Sequence, residues 1–158
     1  MAGSRAGRTP AYLCAALVVL LDQLSKAWAL QQLSGQGPMP FVPGLLRLQL
    51  TFNTGAAFSL LSGNTALLGL VSLLVAVALV LWIQTSPPLR RWQSLGIGLL
   101  LGGAIGNGLD RWRLGTVVDF LEFVPFQFPI FNLADVAINL AVAALAIDLL
   151  RRASHGEH

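Results

Sequence analysis

The sequence predicts a mainly α membrane protein: a four-transmembrane-helix bundle with a small extracytoplasmic β-sheet and an outer loop, both termini cytoplasmic. Three observations predict it. Four long apolar stretches run through a chain that is 55% hydrophobic and 11% charged, with a mean hydropathy of +0.70, the composition of a polytopic membrane protein. One segment between them alternates apolar and polar residues with period two. The arginines gather at the ends of the apolar runs, unequally on the two sides, which is how membrane topology is written.

The 158 residues suit a single integral membrane domain, 1–158, with short connections. The first span covers about 11–30. Arg5 and Arg8 precede it, and Ala27-Trp28-Ala29 mimics a small-x-small cleavage site, so the segment resembles a secretory signal. Asp22 and Lys26 interrupt the stretch that should remain uncharged in such a signal, so it reads as a retained helix.

The outer segment that follows, 31–64, holds Leu46-Arg47-Leu48-Gln49-Leu50-Thr51-Phe52-Asn53, an unbroken alternation. That pattern predicts a strand with one dry face. Pro38, Pro40 and Pro43 before it, and Thr54-Gly55 after it, read as turns.

Spans two and three cover about 66–83 and 92–109, both uncharged. In the third, Gly98, Gly102 and Gly106 recur every four residues on one face, which lets backbones approach closely in lipid and makes this helix central. A second outer segment, 110–132, carries Phe120, Phe123, Phe126, Phe128 and Phe131 with Pro125 and Pro129. Rings at that density anchor at the headgroup interface, or border a groove for a lipid chain. The fourth span covers about 133–150.

Arg5, Arg8, Arg90, Arg91, Arg151 and Arg152 fall on one side of this arrangement, and Arg47, Arg111 and Arg113 on the other. The excess marks the first side as cytoplasmic. The polar chemistry then converges on the outer face. Asp22 lies roughly 17 Å into the first helix at 1.5 Å per residue, past mid-depth. Asn53, Asn107, Asp110, Arg111, Asp119, Asn132 and Asp135 all fall at outer helix ends or in outer segments.

Carboxylates are expensive in such a chain, so Asp119 and Asp135 invite a functional explanation. A pair of them is the minimal equipment for activating water by shared-proton acid–base chemistry. Other chemistries fall away. The histidines, His155 and His158, lie in the C-terminal tail, which removes a Ser-His dyad and an HExxH zinc site. No Cys/His cluster exists for a transition metal, and no tight oxygen-ligand spacing for a hard cation, so no metal is expected. There is no phosphate-binding glycine loop and no dinucleotide fingerprint. The net charge of +3 and pI near 10.0 reflect span-flanking arginines rather than nucleic-acid binding. Cys14, the single cysteine, reads as a small buried hydrophobe.

Five blocks occur in order: Asp22-Gln23-Leu24-Ser25-Lys26, Asn53-Thr54-Gly55-Ala56-Ala57-Phe58-Ser59, Gly102-Gly103-Ala104-Ile105-Gly106-Asn107-Gly108-Leu109-Asp110-Arg111, Val117-Val118-Asp119-Phe120 and Phe131-Asn132-Leu133-Ala134-Asp135. Together they resemble the motif series of the lipoprotein signal peptidases (signal peptidase II), bacterial membrane aspartyl peptidases, over about residues 12–150. The resemblance implies an enzyme of the bacterial cytoplasmic membrane that removes signal peptides from prolipoproteins, cutting before a cysteine already bearing diacylglycerol. It implies Asp119 and Asp135 as the catalytic pair, with Asp22, Asn53, Asn107, Arg111 and Asn132 around substrate and dyad. Lys26, Gly55 and Asp110, within the same blocks, complete the candidate set. It further implies membrane lipid and the diacylglyceryl-prolipoprotein as partners, sensitivity to the peptide antibiotic globomycin, and no cofactor. A monomer is expected.

Several residues carry alternatives. Asn132 lies three before Asp135 and orients a carboxylate, binds substrate backbone or caps the helix. Asp110 and Arg111 either pair with each other or meet substrate. Asp22 and Lys26, at i and i+4, either satisfy one another or assist catalysis. Asn139 supports packing, and Asp148 pairs with Arg151 and Arg152 at the interface. A proton- or ion-coupled transporter is the competing function, although transport wants ionisable groups spread through the membrane depth.

Overall fold

In the computed structural model, residues 7–55 and 63–155 are described. Arg5, residues 56–59 of the second block, and His158 lie outside the described residues, as does the side chain of His155.

Four helices form the body: α1 (Arg8–Gln32), α2 (Thr65–Thr85), α3 (Arg91–Leu114) and α4 (Leu133–His155). Each runs past its expected span because hydrogen bonding continues where hydropathy stops. In α1, Ala11, Ala15 and Ala29 are buried while Leu13, Leu17, Leu20 and Leu24 are exposed. Small residues inside and large apolar ones outside is the arrangement expected where lipid, not water, is the solvent.

α3 touches all three other helices, and its glycines make this possible. An added Cβ would lie 2.6 Å from the Ala11 carbonyl oxygen at Gly98, 2.8 Å from that of Ala15 at Gly102, and 2.6 Å from Asp22 Oδ2 at Gly106. The four-residue glycine spacing therefore does bring α1 against α3. Gly103 serves α4 in the same way, 2.8 Å from the Ala134 carbonyl oxygen.

Among the described residues α1, α2 and α4 are long and apolar enough to cross a bilayer; α3 is not among them. Its glycines add little hydropathy, and its C-terminal end carries Asn107, Asp110 and Arg111. α3 also continues five residues beyond the expected boundary at Leu109, to Leu114, where Gly115 at φ 71° ends it. The first residues of the stretch 110–132 are thus helical.

The sheet is antiparallel, β1 (Met39–Val42), β2 (Leu46–Asn53) and β3 (Val117–Phe123), in that order. β2 matches the predicted strand. The proline-rich segment before it, read as turns, instead supplies β1; Pro40 is tolerated because β1 is an edge strand. The stretch 110–132, expected as a loop, likewise contains β3. Thr51 pairs with Asp119 and Arg47 with Glu122. Phe131 then returns to β3, its N–H donating to the Leu121 carbonyl at 2.9 Å. That short return leads straight into Asn132 and α4, which sets β3 beside the first turn of α4. Ala29 of α1 and Leu33, which caps its C-terminus, pack with Leu48, Phe120 and Leu121 beneath the sheet.

Candidate active site

β3 delivers Asp119, and the first turn of α4 delivers Asp135. Both carboxyl groups line one cavity of about 510 Å³, together with Asn53, Asn107, Arg111, Phe128 and a run of apolar α4 side chains. Asp119 is 1% exposed. Its Oδ2 accepts a hydrogen bond from Asn53 Nδ2 at 3.0 Å and its Oδ1 one from Asn132 Nδ2 at 2.6 Å. Asp135 Oδ1 accepts from Asn107 Nδ2 at 2.8 Å.

Asn132 both caps the helix and meets the carboxylates. Its Oδ1 accepts from the Asp135 N–H at 3.0 Å, and Asp135 Oδ2 accepts from the Asn132 N–H at 3.2 Å. This is a reciprocal capping box at the start of α4. Its amide nitrogen at the same time reaches Asp119. One fully buried side chain therefore ties the two acids together.

Burial and the neighbouring Asp135 carboxylate push Asp119 up from its ordinary value to about 7, against the lowering effect of the hydrogen bonds from Asn53 and Asn132. Two acids facing one enclosed space do not both ionise cheaply.

Behind the cavity lies a second layer. Lys26 Nζ is 2.8 Å from Asp22 Oδ2 and 2.9 Å from Asp110 Oδ2. Asp22 and Lys26 satisfy one another, as one alternative held, but Asp110 joins them. Asp110 Oδ2 also accepts from the Val118 N–H at 3.1 Å, and Asp22 Oδ1 from the Ala134 N–H at 2.9 Å. The cluster thus grips the chain just before each acid. Asp110 and Arg111 do not pair: Arg111 turns the other way, its Nη2 donating to the Gly55 carbonyl at 3.1 Å.

Asn53, Asn107 and Arg111 therefore line the cavity, Gly55 positions Arg111, Asn132 lies under both acids, and Asp22, Lys26 and Asp110 stand one shell back. Asn139, expected only to support packing, lines the cavity too. Of the Phe cluster, Phe128 and Phe131 border the cavity, and Phe126 and Phe128 are exposed. Among the described residues no group of His, Cys, Asp and Glu could hold a metal ion. Asp148 pairs chiefly with Arg90, bidentate at 2.9 and 2.7 Å, with Arg152 at 3.4 Å; Arg151 lies instead over the Trp92 ring.

Comparison with known proteins gives this arrangement a lineage. The family model for signal peptidase (SPase) II matches residues 14–151. The chain belongs to the signal peptidase II family. Lipoprotein signal peptidases of Synechococcus sp. (strain RCC307) and Parasynechococcus marenigrum (strain WH8102) are 53% and 48% identical to it. The first alignment covers 89% of this chain and 93% of the relative, the second 100% and 99%. A solved bacterial membrane enzyme superposes with a TM-score of 0.83 at 29% identity, covering 94% of this chain and 92% of the other. Another does so at 0.79 and 31%, covering 89% and 92%.

As a signal peptidase II the chain is an aspartyl-type hydrolase of the membrane, which displaces the transporter alternative. One supporting residue escaped the candidate set. Gln23 Nε2 donates to Asp110 Oδ1 at 3.0 Å and to the Gly106 carbonyl at 3.2 Å, locking α1 to α3 beside the lysine. An uncharged amide beside Asp22 within an apolar run was the available signal.

Proposed function

We propose that Asp119 and Asp135 act together on one water to cleave prolipoproteins before a diacylglyceryl-cysteine, releasing the signal peptide. The observation that carries this reading is that both carboxyl groups face a single cavity and are bridged by Asn132. One aspartate, ionised, takes a proton from water as the oxygen attacks the scissile carbonyl carbon. The other, protonated, hydrogen-bonds the carbonyl oxygen as charge develops there. Collapse breaks the C–N bond, and the proton held by the first aspartate passes to the departing amine of the lipidated cysteine. Asn53 and Arg111 offer donors to the peptide backbone. The apolar wall of Phe128, Ile130, Val136, Ile138 and Leu140 receives acyl or signal-peptide side chains.

In the same reading residues 1–158 form one integral domain with four spans, both termini cytoplasmic, in a bacterial cytoplasmic membrane. α3 counts as the fourth span because the three apolar helices surround it. The cavity then opens at the extracytoplasmic side, where an already exported cysteine would arrive. A globomycin-type peptide competes for the cavity, and the monomer suffices because each named group comes from one chain.

Purified protein acting on a synthetic diacylated lipobox peptide tests this. Asp119→Asn and Asp135→Asn each lower turnover by at least about a thousandfold while the protein remains folded. Appreciable turnover in either variant removes the dyad.

A further inference from the structure

Two of the side-chain amides around the acids, those of Asn107 and Asn132, are connected to one buried cation. Lys26 is 2% exposed, and its Nζ lies 3.0 Å from Asn107 Oδ1. An ammonium only donates and an ionised carboxylate only accepts. Asn107 sits between the two, so its oxygen must face Lys26 and its nitrogen must face Asp135, as it does at 2.8 Å. The same Oδ1 also accepts from Asn132 Nδ2 at 3.0 Å. This turns the Asn132 nitrogen toward Asp119 and its oxygen toward the Asp135 N–H. From Lys26 outward, Asn107 and Asn132 each present a donor to one of the two acids.

We propose that Lys26 is a positioning residue for hydrolysis: its ammonium fixes the Asn107 amide, and through it the Asn132 amide, so that Asp119 and Asp135 each receive a side-chain N–H. Asp22 and Asp110 hold the ammonium in place for this, at 2.8 and 2.9 Å. Without the cation, a flipped Asn107 turns its oxygen on Asp135, and the acid that loses its donor no longer stands in the geometry the water requires. Lys26 does not line the cavity. Its effect therefore falls on kcat and spares KM.

Lys26→Met alone leaves two buried carboxylates without a cation, so the charge-matched pair Lys26→Met/Asp110→Asn is the variant to measure. One positive and two negative groups become one negative group, and the net charge of the cluster is unchanged. On the diacylated lipobox peptide, kcat falls about 10- to 100-fold with KM altered less than about threefold, the range for groups that orient a catalytic residue. In an Asn107→Ala background the same pair of changes produces no further fall, because the intermediary is already gone. Wild-type kcat in the charge-matched variant, or a loss fully additive with that of Asn107→Ala, overturns the proposal. The inference rests on the Asp119/Asp135 reading, and Asp135→Asn in the same assay separates the two. If that variant turns over, the dyad falls; if it is dead and the Lys26 variants behave as wild type, only the role of Lys26 falls.

Discussion

Asn132 and Asp135 exchange hydrogen bonds across the first turn of α4, side chain to backbone in both directions, at 3.0 and 3.2 Å. The capping box that starts the helix is thus also the seat of an acid, and stability and chemistry meet in one side chain. Asn132→Ala is expected to lower unfolding free energy by about 1 kcal/mol for the lost cap. It removes the donor on Asp119 as well, so turnover falls by more than that stability loss explains. Thermal unfolding in detergent and a peptide-cleavage assay on the same preparation separate the two effects.

Acidity offers a second check. Asp119 titrates near 7 in the folded protein, raised from 3.8 by burial and by Asp135. A carboxyl raised in this way binds its proton more tightly folded than unfolded. Its contribution to stability is therefore complete below about pH 4 and is lost as pH rises through 7. Melting temperature is expected to decline across that window in the wild type, and less steeply in Asp119→Asn. An equal slope in both proteins would locate the titrating group elsewhere. The kcat/KM profile should show an inflection close to pH 7.

Helix contacts respond to volume. Gly102→Ala drives a Cβ to 2.6 Å from Val18 Cβ and 2.8 Å from the Ala15 carbonyl oxygen. Backbone cannot yield as a side chain can, so α1 and α3 separate at a cost of about 1–3 kcal/mol. Gly106→Ala meets Asp22 Oδ2 at 2.6 Å instead. It should disturb the Asp22 bond to Ala134, and with it the position of Asp135. Unfolding curves report the first variant, and cleavage rate the second.

Charge pairs at the two depths should differ. Lys26→Met by itself strands Asp22 and Asp110, both nearly inaccessible, and is expected to destabilise by about 3–5 kcal/mol. Arg90→Ala breaks a bidentate pair whose arginine is 42% exposed, and the loss should stay under about 1 kcal/mol. Chemical unfolding of both variants tests the contrast; comparable losses would mean the Lys26 cluster is solvated.

How far the fold could be read in advance varied by element. β2 was legible in its bounds because Leu46 to Asn53 alternate. Leu48 and Leu50 pack with Leu33 and Phe120, whereas Phe52, expected on the same dry face, is exposed beyond the register shift between Leu48 and Thr51. β3 was not, because Val117 to Leu121 are all buried. A strand covered on both sides loses its alternation and looks like any apolar run. β1 hid among three prolines, which an edge strand admits. The end of α3 was placed at Leu109 because hydropathy stops there, whereas the helix stops only at Gly115.

The residue types of the site were legible for the same reason that charge is rare in this chain: Asp22, Lys26, Asp119 and Asp135 stand out against apolar surroundings. Gln23 was overlooked although it stands in the same block as Asp22 and Lys26. Nor did the sequence reveal that adjacent Asp110 and Arg111 part company, one toward Lys26 and one toward Gly55.

The sequence by itself determined the helical membrane architecture, the glycine face that draws α1 against α3, and an inventory of acids and amides clustered near one end of the bundle. These follow from hydropathy, spacing and volume, which are properties of the chain read in order. The tertiary structure alone decided that Asn132 serves both acids, that Lys26 is shared by two carboxylates, and that its ammonium reaches Asn107, 81 positions away. Periodicity specifies which face of a helix a residue occupies. A hydrogen bond depends on tenths of an ångström and on which end of an amide faces its neighbour, and those are settled only when the helices pack.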